Sequence, residues 1–168
     1  RQGCEPEQPL QATAAREAAL QLTINGESRS SRCEPMTPLL DVLRDEFFLT
    51  GATAVCREGF CGACIVHLDG QPVASCLVPL GVAAGREVRT VESLAQGGVL
   101  SPLQQAMEDQ DAVQCGMCFP GMVVTLTDFL ARTPQPSREQ VRAALTGNIC
   151  RCTGYERIVE AALAAAGA

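Results

Sequence analysis

Lysine is absent: all thirteen basic residues are arginine. Without a side-chain amine there is no Schiff-base chemistry and no lysine for a Walker phosphate loop. Histidine occurs once, at His67, so a zinc site of two or three imidazoles cannot be assembled within this chain. Tryptophan is missing, Tyr155 is the single tyrosine and aromatics make up 4%. That leaves little surface on which nucleic-acid bases could stack. The net charge of -6 also opposes binding to phosphate backbones. No apolar run approaches the roughly 20 residues that span a bilayer. What is present is a 46% hydrophobic, 19% charged chain of 168 residues, enough for one ordinary domain or two small ones. Cysteine is abundant, with ten residues, and is the feature that needs an explanation.

The chain divides into two halves with different patterning. The first eighteen residues are polar and Ala-rich and are expected to form a flexible arm. From about 19 to 96 the signals are those of strands and turns. Leu20, Leu22 and Ile24 alternate with polar residues into Asn25-Gly26, a hairpin signal, with a partner strand over about 28–33. Thr37 as N-cap and Pro38 at the first helical position predict a helix that buries Leu39, Leu40, Leu43 and Phe47. Ile65, Val66 and Leu68 lead to a second hairpin turn at Asp69-Gly70, with a return strand over 73–78 and a last strand over 86–91.

After Gly97-Gly98, the expected boundary, the pattern becomes helical over 99–168. Ser101-Pro102 with Gln104 and Ser137 with Gln140 are capping boxes. A further helix is expected over about 120–131, with Met122, Val123, Leu126, Phe129 and Leu130 on one stripe, and another opened by Thr153 and Glu156. The fold class is therefore α+β, with a mixed N-terminal module followed by four short helices.

Cysteine spacing respects the same boundary. Cys56, Cys61, Cys64 and Cys76 read C-x4-C-x2-C with a distant fourth cysteine, the plant-type [2Fe-2S] spacing. Gly59, Gly62 and Ala63 keep side chains out of a loop that must bring backbone N–H groups towards an anionic cluster. In the second half, Cys115 and Cys118 pair with Cys150 and Cys152, each pair just before an expected helix start, where the helix dipole favours negative charge. A disulfide framework fits poorly, since half-cystines one residue apart bridge badly. Structural zinc remains a rival, although neither quartet has the two C-x2-C knuckles usual for it. A catalytic thiol paired with His67 is a further alternative, against which His67 reads as a packing or surface residue. Cys4 and Cys33 belong to neither quartet, and Cys33 reads as a small packed side chain.

The stretches CREGFCGACIVHLDG (56–70), QCGMCFPGM (114–122) and GNICRCTGYERIVEA (147–161) resemble the two-cluster iron–sulfur subunit of the xanthine oxidase family of molybdenum hydroxylases. The resemblance runs from about residue 20 to 165, in the same order. It implies a ferredoxin-like β-grasp domain and an all-α four-helix domain, each with one [2Fe-2S] cluster. It further implies a large partner subunit with a molybdenum–molybdopterin cofactor and a medium one with FAD, assembled as a dimer of heterotrimers. Single electrons would leave molybdenum through the C-terminal cluster, then the N-terminal one, to the flavin. The complex would oxidise an aromatic N-heterocycle or an aldehyde with oxygen from water. By this resemblance Gln114 and Cys152 lie against the pterin, and Gly116, Gly121, Gly147 and Gly154 let loops pack closely. The chain departs from the family pattern at Val55, where glycine is common, and at Phe119, where a small hydroxyl residue is common. Altered packing beside each cluster is the consequence to look for. Reduced thiolates point to the cytoplasm, and export of a folded complex by a signal on another subunit is compatible with the same composition. The rivals are a free-standing ferredoxin and a zinc-stapled, non-redox interaction module.

Overall fold

Residues 19–167 are described by the structure, a computed structural model; Cys4 and the arm expected over 1–18 lie outside them. The first half is built on a five-stranded sheet of order β2-β1-β5-β3-β4. Strands β1 (Leu20–Ile24) and β2 (Glu27–Ser31) form the expected hairpin around Asn25 and Gly26, both at positive φ (52° and 82°). Strands β3 (Ile65–Leu68) and β4 (Gln71–Ala74) form the second, around Asp69 and Gly70 at φ 48° and 77°. These are the left-handed conformations that an Asn-Gly or Asp-Gly turn supplies. The short β5 (Glu87–Arg89) lies between the hairpins, parallel to β1 and antiparallel to β3. Pro72, which has no N–H to give a ladder, is confined to the edge strand β4.

Helix α1 (Leu39–Asp41) runs straight into a π-helical turn, Val42–Glu46. Its Leu39, Leu40, Val42 and Leu43 pack on Leu22, Ile24, Val66, Leu68 and Val88 to make the first core. Each such side chain contributes roughly 1.5–3 kcal/mol of burial. The helix begins one residue later than expected: Pro38, in extended geometry (φ −57°, ψ 134°), is the N-cap, without a side-chain cap from Thr37. Thr37 instead spends its carbonyl on Leu80 N–H, at the start of the short α2 (Leu80–Ala83), which periodicity did not reveal.

From Ser101 onward the described residues are helical: α3 (Pro102–Asp109), α4 (Phe119–Arg132), α5 (Arg138–Ala144) and α6 (Glu156–Ala166). Both capping boxes form as read, Ser101 with Gln104 and Ser137 with Gln140. The opening of α6 differs. Its N-cap is Tyr155, left-handed at φ 70°, with no side-chain cap. Thr153, expected as the cap, has its hydroxyl committed elsewhere, 3.0 Å from the Cys150 sulfur and accepting from Tyr155 N at 3.2 Å. A second core gathers Leu103, Met107, Met122, Val123, Leu126, Val141, Ile158 and Val159.

The two halves meet where α4 packs on β3 and β4. His67 is a packing residue there: it is 8% exposed and its buried Nε2 has no hydrogen-bond partner among the described residues. Burial holds its pKa below the usual imidazole value. Among the described residues no helix is long and apolar enough to cross a membrane.

Candidate metal centres

The first quartet gathers where a strained loop meets the sheet. Residues 56–62 carry three positive φ values, at Arg57 (59°), Gly59 (81°) and Gly62 (73°), which curl the chain around its own sulfurs. Arg57 is not a glycine, and an ion pair with Asp41 at 2.6 Å holds its loop against the first helix. In the stretch leading to the loop, Arg44 donates to the carbonyls of Thr50 and Ala52 at 2.6 and 2.8 Å. Cys61, Cys64 and Cys76 are buried and Cys56 is half-buried. Cys76 does not lie on the return strand as expected. The strand ends at Ala74, and a short 3-10 turn, Ser75–Leu77, carries it. Ser75 makes the turn, donating to the Cys64 carbonyl through its hydroxyl at 2.7 Å and its N–H at 3.3 Å. That turn carries Cys76 to the buried side of the quartet.

The second quartet sits in a pocket lined by Val113, Gln114, Phe119, Met122, Thr153 and Ile158 together with its four cysteines. Cys115 and Cys152 are exposed, with their sulfurs 3.4 Å apart; Cys118 is half-buried and Cys150 buried. Cys118 is the N-cap of α4, which places its sulfur at the positive end of a 14-residue helix. Gln114 is exposed beside Cys115 at the mouth. Of the two departures, Val55 is exposed next to Cys56, and Phe119 is half-buried against the second core.

The environments separate the thiols chemically. The Glu58 N–H, 3.4 Å from the Cys56 sulfur, brings that thiol down to about 6 against a small opposing effect of burial. Burial drives Cys76 up to about 11 and Cys118 up to about 12. Burial also pushes Cys150 upward, but hydrogen bonds from the Thr153 hydroxyl and N–H outweigh it and leave the thiol lowered. Cys115 is lowered, first by the Met117 N–H, and Cys152 is raised by donating to it. In cluster-free protein at pH 7, iodoacetamide is therefore expected to alkylate Cys56 first and Cys76 and Cys118 last. Below a pH of about 6 the Cys56 rate should fall about tenfold per unit as its thiolate is protonated. Peptide mapping over a time course reads the order, and early labelling of Cys118 would contradict it.

The Cys152 thiol donates to the Cys115 sulfur at 3.4 Å, and each quartet draws its four cysteines from one half of the chain. The backbone N–H groups directed at Cys56 and Cys150 are the donors an anionic cluster requires.

Close packing joins the quartets. Ile149 N–H donates to the Cys61 carbonyl at 2.9 Å, so a ligand-type residue of one quartet is bonded to the neighbour of Cys150 in the other. Asn148, 2% exposed, donates to the Gly62 carbonyl at 3.3 Å. The seam depends on two glycines: a Cβ on Gly62 would lie 2.3 Å from the Gly147 oxygen, and one on Gly121 only 1.9 Å from the Gly62 oxygen. Gly121 thus meets the close-packing expectation directly. Gly116 and Gly154 have positive φ (83° and 64°) with open space around them, and Gly147 contributes its carbonyl rather than room for itself. Sequence spacing did not single out Asn148, Ile149 or the Tyr155 hydroxyl, because their partners lie across the seam or are backbone atoms.

Two thiol cages, one per half, in a chain with a ferredoxin-type sheet define an iron–sulfur protein. Profile comparison agrees on this class: residues 22–101 match the 2Fe-2S iron-sulfur cluster binding domain and residues 90–163 the [2Fe-2S] binding domain. The nicotine 6-hydroxylase small subunit of Paenarthrobacter nicotinovorans is 44% identical over 148 residues, 88% of this chain and 89% of that protein. The xanthine dehydrogenase iron-sulfur-binding subunit of Escherichia coli O157:H7 is 42% identical over 86% and 91%. A crystal structure of quinoline 2-oxidoreductase from Pseudomonas putida 86 superposes with a TM-score of 0.87 at 42% identity. It covers 91% of this chain and 96% of that one. The chain belongs to the iron–sulfur subunits of the xanthine oxidase family of molybdenum hydroxylases, and is a subunit of an oxidoreductase.

Proposed function

We propose that this chain is the electron-transfer subunit of a molybdenum hydroxylase complex. In this reading it carries single electrons from a molybdenum–molybdopterin site on a large partner to FAD on a medium partner. Cys56, Cys61, Cys64 and Cys76 hold one [2Fe-2S] cluster in a β-grasp domain over 19–96. Cys115, Cys118, Cys150 and Cys152 hold the other in a helical domain over 99–168. The observation that carries this reading is the gathering of four cysteines in each half of a chain matched over 22–101 and 90–163 by two [2Fe-2S] domain families, with the halves joined by the Ile149–Cys61 hydrogen bond. When bound, each cluster supplies a centre that takes up and releases one electron with little rearrangement.

The chain's own residues then have distinct tasks. Thr153 and the N–H groups of Glu58 and Met117 steady sulfur charge. Burial of Cys61, Cys64, Cys76 and Cys150 excludes water from one side of each cage. The exposed Cys115 and Cys152, with Gln114 beside them, form the face offered to the pterin. Relatives whose names specify nicotine, xanthine and quinoline support an aromatic N-heterocycle as the substrate class, with an aldehyde as the alternative. The complex works in the cytoplasm, with two copies of each of three subunits.

Dithionite-reduced protein at four irons per chain is expected to give two distinguishable S = 1/2 EPR signals. A colourless, sulfide-free protein would instead establish the zinc module. A native mass equal to that of one chain would establish the free ferredoxin.

A further inference from the structure

We propose that Tyr155 is the positioning residue of the join between the two quartets, acting through its hydroxyl; the proposal rests on the relay reading above. The hydroxyl sits on the backbone of the loop it serves. It accepts from the Cys150 N–H at 2.9 Å and donates to the Asn148 carbonyl at 3.2 Å. The residue between those two contacts is Ile149, whose N–H crosses the seam to the Cys61 carbonyl at 2.9 Å. Asn148 crosses it as well, to Gly62 at 3.3 Å. One phenol therefore brackets the three residues that form the bonded route from one ligand set to the other.

The placement is costly, which argues that it is not incidental. Tyr155 has φ 70°, a left-handed conformation that a bulky side chain occupies at a cost of order 1–3 kcal/mol. It opens α6 without capping it through its side chain. Thr153 stabilises that conformation, its hydroxyl accepting from the Tyr155 N–H while contacting the Cys150 sulfur. The ring is half-buried against the second core, which points the hydroxyl back at residues 148–150 rather than to solvent. Asn148 is buried with its Oδ1 lacking a protein partner, so its side chain is held by the single bond from Nδ2 to the Gly62 carbonyl.

Tyr155→Phe keeps the ring and removes both hydroxyl contacts. In the loaded complex, the Ile149 amide is expected to exchange with deuterium about tenfold faster than in wild type. The Val159 amide, bonded to the Tyr155 carbonyl at 2.9 Å, should hold its wild-type rate. A residue that merely started α6 would quicken both. In freeze-quenched samples mixed with substrate, the lag between the two cluster EPR signals should lengthen at least about twofold. Asn148→Ala, which removes the next link with the hydroxyl intact, should also quicken Ile149 selectively, and it serves as the test if Tyr155→Phe does not fold. Wild-type exchange at Ile149 in both variants, or an unchanged lag, overturns the proposal. A wild type with only one cluster signal overturns the relay reading along with it, whereas wild-type amide exchange in the variants overturns the bracket alone.

Discussion

Cys115→Ser is expected to abolish reduction of the terminal acceptor, by at least about 100-fold, while substrate still binds the large subunit with unchanged affinity. The position makes the test clean. Cys115 is exposed and outside both cores, so the substitution removes a ligand without opening a cavity. Its thiol is the more acidic of the exposed pair, drawn down first by the Met117 N–H and then by donation from Cys152 at 3.4 Å. A serine hydroxyl keeps the shape but stays protonated at neutral pH, and it is a poor ligand for iron. EPR should show the N-terminal signal retained and the C-terminal one lost or altered. Steady-state turnover at the wild-type rate would remove the relay from consideration.

Gly121→Ala should have the largest effect on the protein itself. The added methyl would lie 1.9 Å from the Gly62 oxygen, 2.9 Å from its carbonyl carbon and 3.1 Å from Ala63 Cα. All three are backbone atoms of the loop that carries Cys61 and Cys64, so no side chain can swing aside. Helix α4 or the loop must retreat by roughly an ångström, in an interior packed too densely to absorb it. The expected cost is about 3 kcal/mol, or roughly 6–12 °C in Tm. The retreat also pulls at Ile149–Cys61 and Asn148–Gly62, so electron arrival at the N-terminal quartet should slow. Gly147→Ala is the control, because a Cβ there meets open space. Equal melting temperatures for the two variants would show that the glycine contact does not hold the seam.

Much of this molecule could be read from local pattern. Asn25-Gly26 and Asp69-Gly70 formed hairpins because few dipeptides accept two consecutive left-handed residues cheaply. Ser101 and Ser137 started helices because the partner glutamine stands three residues on. The same locality explains the errors. Thr37 and Thr153 looked like caps, but each has a stronger engagement with something distant or sulfur-borne: the Leu80 N–H and the Cys150 thiol. Cys76 left its strand because Ser75 bonds to a carbonyl eleven residues earlier. Asn148 and Tyr155 carried no signal of their tasks, since their partners are backbone atoms.

By itself the sequence determined how eight cysteines are spaced in two groups, where the chain turns, and that the halves differ in kind. The turns and helix starts follow from φ preference and hydrophobic period within a few residues, and the cysteine groups from spacing along one half of the chain. Only the tertiary structure decided how deeply each sulfur is buried, and that the two groups are joined through Gly62, Gly121, Asn148 and Ile149. Those contacts connect residues up to 88 positions apart (Cys61 to Ile149). Their existence depends on how closely two backbones can approach, a property of the folded pair and not of either segment.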